Sequence, residues 1–483
     1  MTRILCLLTA LLALAACTVG PDYHRPSAPE PAAYKEAKGW KPATPRRAGA
    51  GGAWWSVYRD PALDQLEHKV AISNQNLKAA AAAYRQAEAL VDEARSNLYP
   101  TLAGSGSAQR GGSLAQGKPV NQFSMTGAAS WTPDIWGKIR RSIESQEATA
   151  QASAADLAAA QLSAEASLAT DYFTLRATDE QKRLLDAAVH AYAESLRITQ
   201  NQYHAGTAPL SSVLTARTQL EQTRAQAINT GVARAQLEHA IAVLAGEPPS
   251  ALSIKVVAPM SNRVPVMPTG LPSALLERRP DIAAAERQMA AANAEIGVAI
   301  GAYYPDITLS ASLGLAATAL TNLFNASNAL WAVGGAISDT VFDAGLRAAE
   351  VRAARAGYDE AVANYRETVL TAFQQVEDDL ASLRILAREA TAQSQTVRDA
   401  RQAERLTMNQ YLAGTVAYTS VVVAQTTALS NEEAALTILQ NRLTASVALI
   451  SALGGGWNAA DLPPAPAITS APNHKSFLGS LFE

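Results

Sequence analysis

The sequence consists of two similar halves. The segment YHAGT at 203–207 returns 208 positions later as YLAGT at 411–415, and Gly137 returns as Gly345. Tyr99-Pro100 returns as Tyr304-Pro305, so the second half gains three residues after that pair. The interval is far longer than the ~20–50 residues of a solenoid repeat. We therefore expect a duplicated half-protein, with a function that depends on two similar halves.

The N-terminus indicates an exported lipoprotein. Arg3 precedes an apolar run at 4–16, and LAAC at 14–17 fits a bacterial lipoprotein cleavage box. An ordinary secretory signal with a chance cysteine is the alternative. We expect 1–16 to be the signal peptide and 17–53 a lipidated, proline-rich leader that acts as an extended tether. Cys17 would carry the lipid, and Thr18 after it favours the outer membrane, by resemblance to bacterial lipoproteins.

Composition and residue spacing exclude several function classes. The formal net charge of −3 provides no basic footprint for nucleic acid. Only two cysteines are present, so the chain is not a disulfide scaffold. The six histidines show no metal-ligand spacing, and the carboxylate runs at 377–379 and 432–433 are expected to be solvated helix faces. We expect no catalytic constellation, cofactor or metal, and no transmembrane helix after the signal peptide.

The spacing of apolar residues in the first half changes from a helical to a strand pattern and then back to a helical one. Residues 63–98 are predicted to form a helix that ends at Tyr99-Pro100. Alternation of apolar and polar residues then predicts two strands of about nine or ten residues, the length of a tilted membrane strand. Glycines and a proline are expected in the loop between these strands: Gly111, Gly112, Gly117 and Pro119.

A helix without Gly or Pro follows from about Gly137 to Tyr203, on the order of 100 Å long. Its apolar residues show the spacing of a coiled-coil seam. Gly206 is expected to end this helix, and a second helix should run to about Ala245. The second half repeats the plan. We expect a first repeat at 54–250, a linker at 251–272, a second repeat at 273–456 and a flexible tail at 457–483.

Four membrane-length strands cannot close a barrel alone, because closed membrane barrels need at least ~8 strands and open edges are not tolerated in lipid. Either the strands form a soluble sheet on a core, or several chains share one barrel. The lipid anchor and the one-sided apolar faces favour sharing. The residues expected to face lipid are Phe123, Met125, Trp131, Leu309, Leu313 and Trp331.

Several motifs carry a family resemblance. The segment WWSVYRDPAL at 54–63 resembles the opening signature of the outer membrane efflux proteins, the TolC/OprM superfamily. LLERRPDI at 275–282 resembles its central signature, and GTVAY at 414–418 resembles the NodT-type lipoprotein branch. The likeness covers residues 17–456. We expect Trp54 and Trp55 to be packing or interface aromatics, with a ligand box as the alternative.

The resemblance implies a mainly α protein with membrane β-strands. A homotrimer would close a twelve-strand β-barrel and continue it as a periplasmic α-barrel. The chain would then be an outer-membrane, lipid-anchored exit duct that conducts drugs and toxic compounds passively. Its partners would be a periplasmic adaptor and an inner-membrane transporter of the RND, MFS or ABC type. A duct for type I protein secretion and a non-pore structural periplasmic lipoprotein remain as alternatives.

The family often has an aspartate near the tip of the second coiled coil, where three copies narrow the tunnel. The matching position here is Ser420, and its repeat mate is Ser212. No Asp or Glu lies at 205–220 or 411–430. Closure would then depend on Tyr418, hydroxyl groups and helix packing. The residues expected at the tip and at the adaptor contact are Gly206, Thr207, Ser212, Gly414, Thr415, Tyr418 and Ser420; the glycines could equally be simple helix C-caps.

Overall fold

The computed structural model describes residues 18–28, 31, 33–36, 53–113, 116–257, 259–265 and 275–464. The predicted signal peptide, Cys17 and the tail beyond 464 lie outside the described residues. Residues 266–272 of the predicted linker lie outside them too. No described helix is long and apolar enough to cross a membrane.

The two halves have matching elements. The first contains α1 (Pro61–Ser73), α2 (Gln75–Ser96), β1 (Thr101–Ser113), β2 (Gln116–Trp131), α3 (Lys138–His204) and α4 (Leu210–Leu244). The second contains the short α5 (Leu275–Arg278), α6 (Pro280–Gly301), β3 (Asp306–Ala317), β4 (Ala329–Ser338), α7 (Leu346–Leu412) and α8 (Tyr418–Ala452). The helices α3 and α7 each have 67 residues, and α4 and α8 each have 35. The predicted duplication is confirmed.

The helix predicted at 63–98 is divided at Asn74. The Asn74 side chain accepts hydrogen bonds from the amides of Asn76 and Leu77, and it donates one to the Leu244 carbonyl at 2.8 Å. This residue therefore caps the start of α2 and ties that point to the end of α4. The prediction of one continuous helix was wrong because Asn74 adopts a non-helical backbone, caps a new helix and is held there by its bond to the distant Leu244 carbonyl.

The strands are longer than the sequence indicates. Gly111, Gly112, Gly117 and Pro119 were expected in a loop, but they belong to β1 and β2. Ser113 already pairs with Gln116, and the register shifts between Gly111 and Ser113. Pro119 lies in the part of β2 that extends beyond the β3 pairing, which begins at Phe123. A proline is tolerated there because no second neighbour needs its amide.

The main hydrophobic core lies where α1 and the 3-10 helix Trp54–Tyr58 meet the long helices. Trp54 and Trp55 are both buried, and the Trp54 indole donates to Glu165 at 2.9 Å. The expectation that these tryptophans pack is therefore confirmed. At the start of α6, Arg279 forms an ion pair with Asp281 at 2.6 Å.

The leader is extended, but its described part is bound to the helices. Arg141 on α3 contacts Asp22 at 2.7 Å, and Arg25 donates to the Tyr365 hydroxyl on α7 at 2.9 Å. Residues 18–28 therefore follow the surface of the helical region and do not form a free tether. The start of the tail is bound too, because Trp457 and Leu462 pack on Ala155 and neighbouring alanines.

The acidic run at 377–379 is not simply solvated. Glu377 accepts hydrogen bonds from the amides of Lys35 and Glu36. Asp379 is half-buried, and burial, reinforced by the neighbouring Asp378 charge, raises its pKa to about 7. The expectation of a fully exposed helix face was wrong because the leader covers part of α7.

Glu67 on α1 is fully buried, and neither of its carboxylate oxygens has a hydrogen-bond partner among the described residues. Burial, reinforced by the charges of Glu165 and Asp64, raises its pKa to about 9. Between pH 4.5 and 9 the folded chain holds a proton that the unfolded chain releases. This carboxyl group therefore lowers stability as the pH rises through that window.

The substitution Glu67→Gln should make the protein relatively more stable at pH 8 than at pH 5, because the amide needs no proton. The expected gain relative to wild type is at most about 1.4 kcal/mol per pH unit. Thermal unfolding of the helices, followed by circular dichroism in detergent at both pH values, measures it. Glu360→Gln, at an exposed position, is the control. A pH dependence identical to that of wild type would contradict the assignment.

Candidate functional site

The first candidate surface is the four-stranded antiparallel sheet, whose strand order is β1-β2-β3-β4. Residues paired across neighbouring strands lie on the same face. Met125 pairs with Leu315, Trp131 with Leu309, and Leu313 with both Gly127 and Trp331. This register places on one face all the residues that the sequence predicted to face lipid: Phe123, Met125, Trp131, Leu309, Leu313 and Trp331. We call this the apolar face.

The opposite face is rich in hydroxyl groups, and we call it the hydroxyl face. Ser124 lies beside Ser107 with their oxygens 2.8 Å apart, and Thr126 pairs with Gly314 in the register. Ser310 pairs with Ser130. Both faces are largely solvent-exposed in the single chain, and every residue of β4 is exposed. The sheet therefore does not pack as one layer of a soluble core.

The outer edges of β1 and β4 are unpaired among the described residues, since each has one neighbour in the sheet. Their free N–H and C=O groups can pair with another strand, and in lipid they would have to. An apolar face combined with two open edges is what a segment of a larger closed sheet presents.

The second candidate surface is the end of the helices farthest from the sheet. Two turns lie there, one between α3 and α4 and one between α7 and α8. Gly206 and Gly414 both have φ of +75°, and a Cβ at either position would meet open space. The amide of Thr207 bonds the Gln202 carbonyl at 2.8 Å, and the second turn repeats this bond from Thr415. The C-cap interpretation of both glycines is confirmed.

Ser212 and Ser420 lie in the first turns of α4 and α8. Ser420 is exposed and Ser212 is partly exposed. Neither first turn contains an acidic residue. No carboxylate is therefore present at the start of either helix to ring a tunnel.

Tyr418 does not stand at the surface. It is 3% exposed and its ring lies 5.3 Å from that of Tyr411, in a cluster with Val421 and Ala216. Burial raises its pKa to about 12. The tyrosine therefore stabilises the packing of α8 against the first hairpin and does not project from the tip of the protomer.

A buried polar network joins the two helical hairpins near this end. Tyr411 donates to Thr199 at 3.3 Å and also to Gln202. Gln425 donates to Ser195 at 3.1 Å, and Gln219 donates to Gln425 at 3.5 Å. We call these contacts the tip seam. Sequence reasoning missed it, because Gln219 and Gln425 lie on different helices and no local pattern pairs them.

Comparison with known proteins agrees with this architecture. The profile of the family described as "Outer membrane efflux protein" matches residues 66–247 and 271–455. A probable efflux pump outer membrane protein, TtgC of Pseudomonas putida, is 30% identical over 92% of this chain and 93% of its own length. The pyoverdine export outer membrane protein OpmQ of Pseudomonas aeruginosa is 33% identical over 94% and 97%.

Among solved structures, the outer-membrane channel OprN superposes with a TM-score of 0.83 at 30% identity, covering 91% of this chain and all of that one. A helical channel fold with four strands is thus shared along nearly the whole chain. This chain belongs to the outer membrane efflux protein family. It is an outer-membrane channel component of an efflux pump, and its role is transport without enzymatic activity.

Proposed function

We propose that three copies of this chain assemble into one exit duct of a tripartite pump. Each copy would contribute four strands to a twelve-strand barrel, and the helical hairpins would continue the tunnel through the periplasm. The observation that carries the proposal is the open-edged sheet with one apolar face. Three such sheets joined edge to edge leave no unpaired strand and exceed the ~8 strands needed for closure.

We propose further that Cys17 carries the lipid, as in the NodT-type branch. The described leader supports this, because Val19 donates to the Trp136 carbonyl at 3.1 Å. Residue 18 therefore lies where the sheet joins α3, beside the proposed membrane. More than one acyl chain there would anchor the protein stably. Radioactive palmitate should label the wild type and not Cys17→Ser, and persistent labelling of the variant would contradict the proposal.

The partners follow from the same arrangement. The hairpin tips at Gly206 and Gly414 would meet a periplasmic adaptor, and an inner-membrane transporter of the RND, MFS or ABC type would deliver cargo. TtgC and OpmQ carry the names of efflux and export proteins, which supports small-molecule cargo over a duct for type I protein secretion. The exposed apolar face argues against a non-pore periplasmic lipoprotein, because such a protein would leave it in water.

The proposed barrel predicts opposite outcomes for two neighbouring substitutions on β2. Met125→Arg places a charge on the apolar face and should destabilise the barrel by ~2–4 kcal/mol per chain near the membrane midplane. Ser124→Arg places the same charge on the hydroxyl face and should be tolerated. The measurement is the amount of heat-modifiable trimer in outer membranes. Equal tolerance of both variants would show that the sheet does not face lipid.

The purified chain should conduct ions in planar bilayers as a trimer. Ser420→Asp should make the pore more cation-selective and more sensitive to magnesium block. Three carboxylates near one another repel, by about 4 kcal/mol per pair at ~4 Å and an effective dielectric of ~20, and a passing cation relieves this repulsion. Reversal potentials from single-channel recordings measure the change.

Thr218→Asp is a control, since Thr218 is exposed on α4 two turns beyond Ser212. It should alter selectivity less than Ser420→Asp. A trimer that does not conduct would contradict the duct itself. A conducting trimer with unchanged selectivity in Ser420→Asp would place this serine away from the constriction.

A further inference from the structure

The tip seam joins one surface of each helical hairpin. The first hairpin, α3 and α4, provides a groove, and the second hairpin, α7 and α8, provides the side chains that fill it. Within the chain, Tyr411 and Tyr418 of the second hairpin insert into the groove between α3 and α4. The repeat offset of 208 gives every residue of this contact a mate in the other hairpin. The mates can therefore be compared position by position, and the comparison shows which surfaces are left without a partner.

The inserting side of the first hairpin is exposed. Tyr411 is 7% exposed, but its repeat mate Tyr203 is 41% exposed. Tyr418 is 3% exposed, but its mate Leu210 is 49% exposed. Gln425 is buried as well, and its mate is Arg217, which is exposed. The first hairpin thus presents the same row of side chains with nothing covering it in the protomer.

The receiving groove of the second hairpin is open. Ser195 and Thr199 are buried, whereas their mates Ala403 and Thr407 are exposed and partly exposed. Gln410, the mate of Gln202, is also exposed. Ala403, Thr407 and Gln410 line a groove of about 590 Å³ between α7 and α8. The groove corresponds in position to the one that the second hairpin fills within the chain.

The three residues of the tyrosine hydrogen-bond cluster in the seam are preserved in both halves. Tyr411 donates to Thr199 and Gln202 in the chain, and the mates are again a tyrosine, a threonine and a glutamine: Tyr203, Thr407 and Gln410. A single chain cannot satisfy this second set, because its own hairpins already meet through the first. A second copy can satisfy it when its first hairpin lies against the second hairpin of this chain in the way that the second hairpin lies against the first within the chain.

We propose that the first hairpin of one copy docks into the α7/α8 groove of the next copy, so that Tyr203 donates to Thr407 and Gln410 of that copy. Leu210 fills the groove as Tyr418 does within the chain. The occupant of the groove is therefore a second copy of this chain. This inference rests on the proposed trimer and names the contact that closes its periplasmic end.

The new seam differs from the internal one at four positions: Leu210 replaces Tyr418 and Thr427 replaces Gln219, and two further replacements remove a hydrogen bond. Arg217 replaces Gln425, and Ala403 replaces Ser195, so the amide-to-hydroxyl bond is absent between copies. Ser420 lines the groove. Its mate Ser212 stays partly exposed in the internal seam, so Ser420 should likewise keep access to the tunnel after docking.

Cysteine cross-linking tests the contact. Cys6 and Cys17 are the only native cysteines, so introduced thiols are easily recognised. Arg217→Cys with Ala403→Cys, oxidised in outer membranes, should link most chains to one another as dimers and trimers on boiled, non-reduced gels. The matched control is Gln425→Cys with Ser195→Cys, whose side chains are in direct contact within the chain. That pair should form a link inside one chain and leave it at monomer mass.

Co-expression of differently tagged single variants sharpens the test. Arg217→Cys chains should link to Ala403→Cys chains, and neither variant should link to itself. A heat-modifiable trimer without this link would overturn the seam while leaving the trimer intact. Absence of the trimer from the wild type would instead overturn the proposed function and this inference with it.

The hydrogen bond has its own readout. Tyr203→Phe and Gln410→Leu should lower the temperature at which the trimer dissociates in a non-additive way, because both remove the same bond. Tyr203→Phe and Gln202→Leu, which affect different seams, should add independently. Additivity in the first pair would show that Tyr203 and Gln410 do not meet.

Discussion

Unpaired strand edges in lipid are the constraint on which the rest of this structure depends. A four-stranded sheet satisfies its two inner strands and leaves the outer edges of β1 and β4 open. Backbone groups without partners cost several kcal/mol each in hydrocarbon, so one such sheet cannot stand alone in a membrane. The apolar face of the sheet and the family membership of the chain agree with closure by further copies. The long helices then extend from a base that only an assembly can supply.

The internal duplication gives the chain matching hairpins for such an assembly. Each chain provides two hairpins of equal length, 67 and 35 residues in each, so neighbouring hairpins can meet through related surfaces within and between chains. The two halves have nevertheless diverged. The internal seam contains a hydrogen-bonded glutamine pair, whereas the mates of these residues are an arginine and a threonine. Seams of the same geometry and different chemistry would differ in stability, and the weaker one would separate first.

The described part of the leader helps to hold the two repeats together. Asp22 and Arg25 are bound to α3 and α7 respectively, so the leader links helices that belong to different repeats. Glu67 is a separate feature of the same helical region, fully buried and influenced by the carboxyl groups of Glu165 and Asp64. Its neutral form is the one that the folded chain accommodates, because an ion there would have neither water nor a hydrogen-bond partner among the described residues.

The sequence by itself determined the elements whose signals are local. Long helix-forming stretches predicted α3, and by repetition α7, within one or two residues. Gly206 and Gly414 predicted their ends, because a left-handed turn favours glycine. Alternation predicted which strand residues share a face. Only the tertiary structure decided the break at Asn74, the extension of the strands through Gly111 and Pro119, the burial of Tyr418 and the polar network of the tip seam. The break, the burial of Tyr418 and the tip seam depend on partners far away along the chain, and no local pattern specifies which partner will be there. The extension of the strands depends on pairing across a tight hairpin, where Ser113 already meets Gln116.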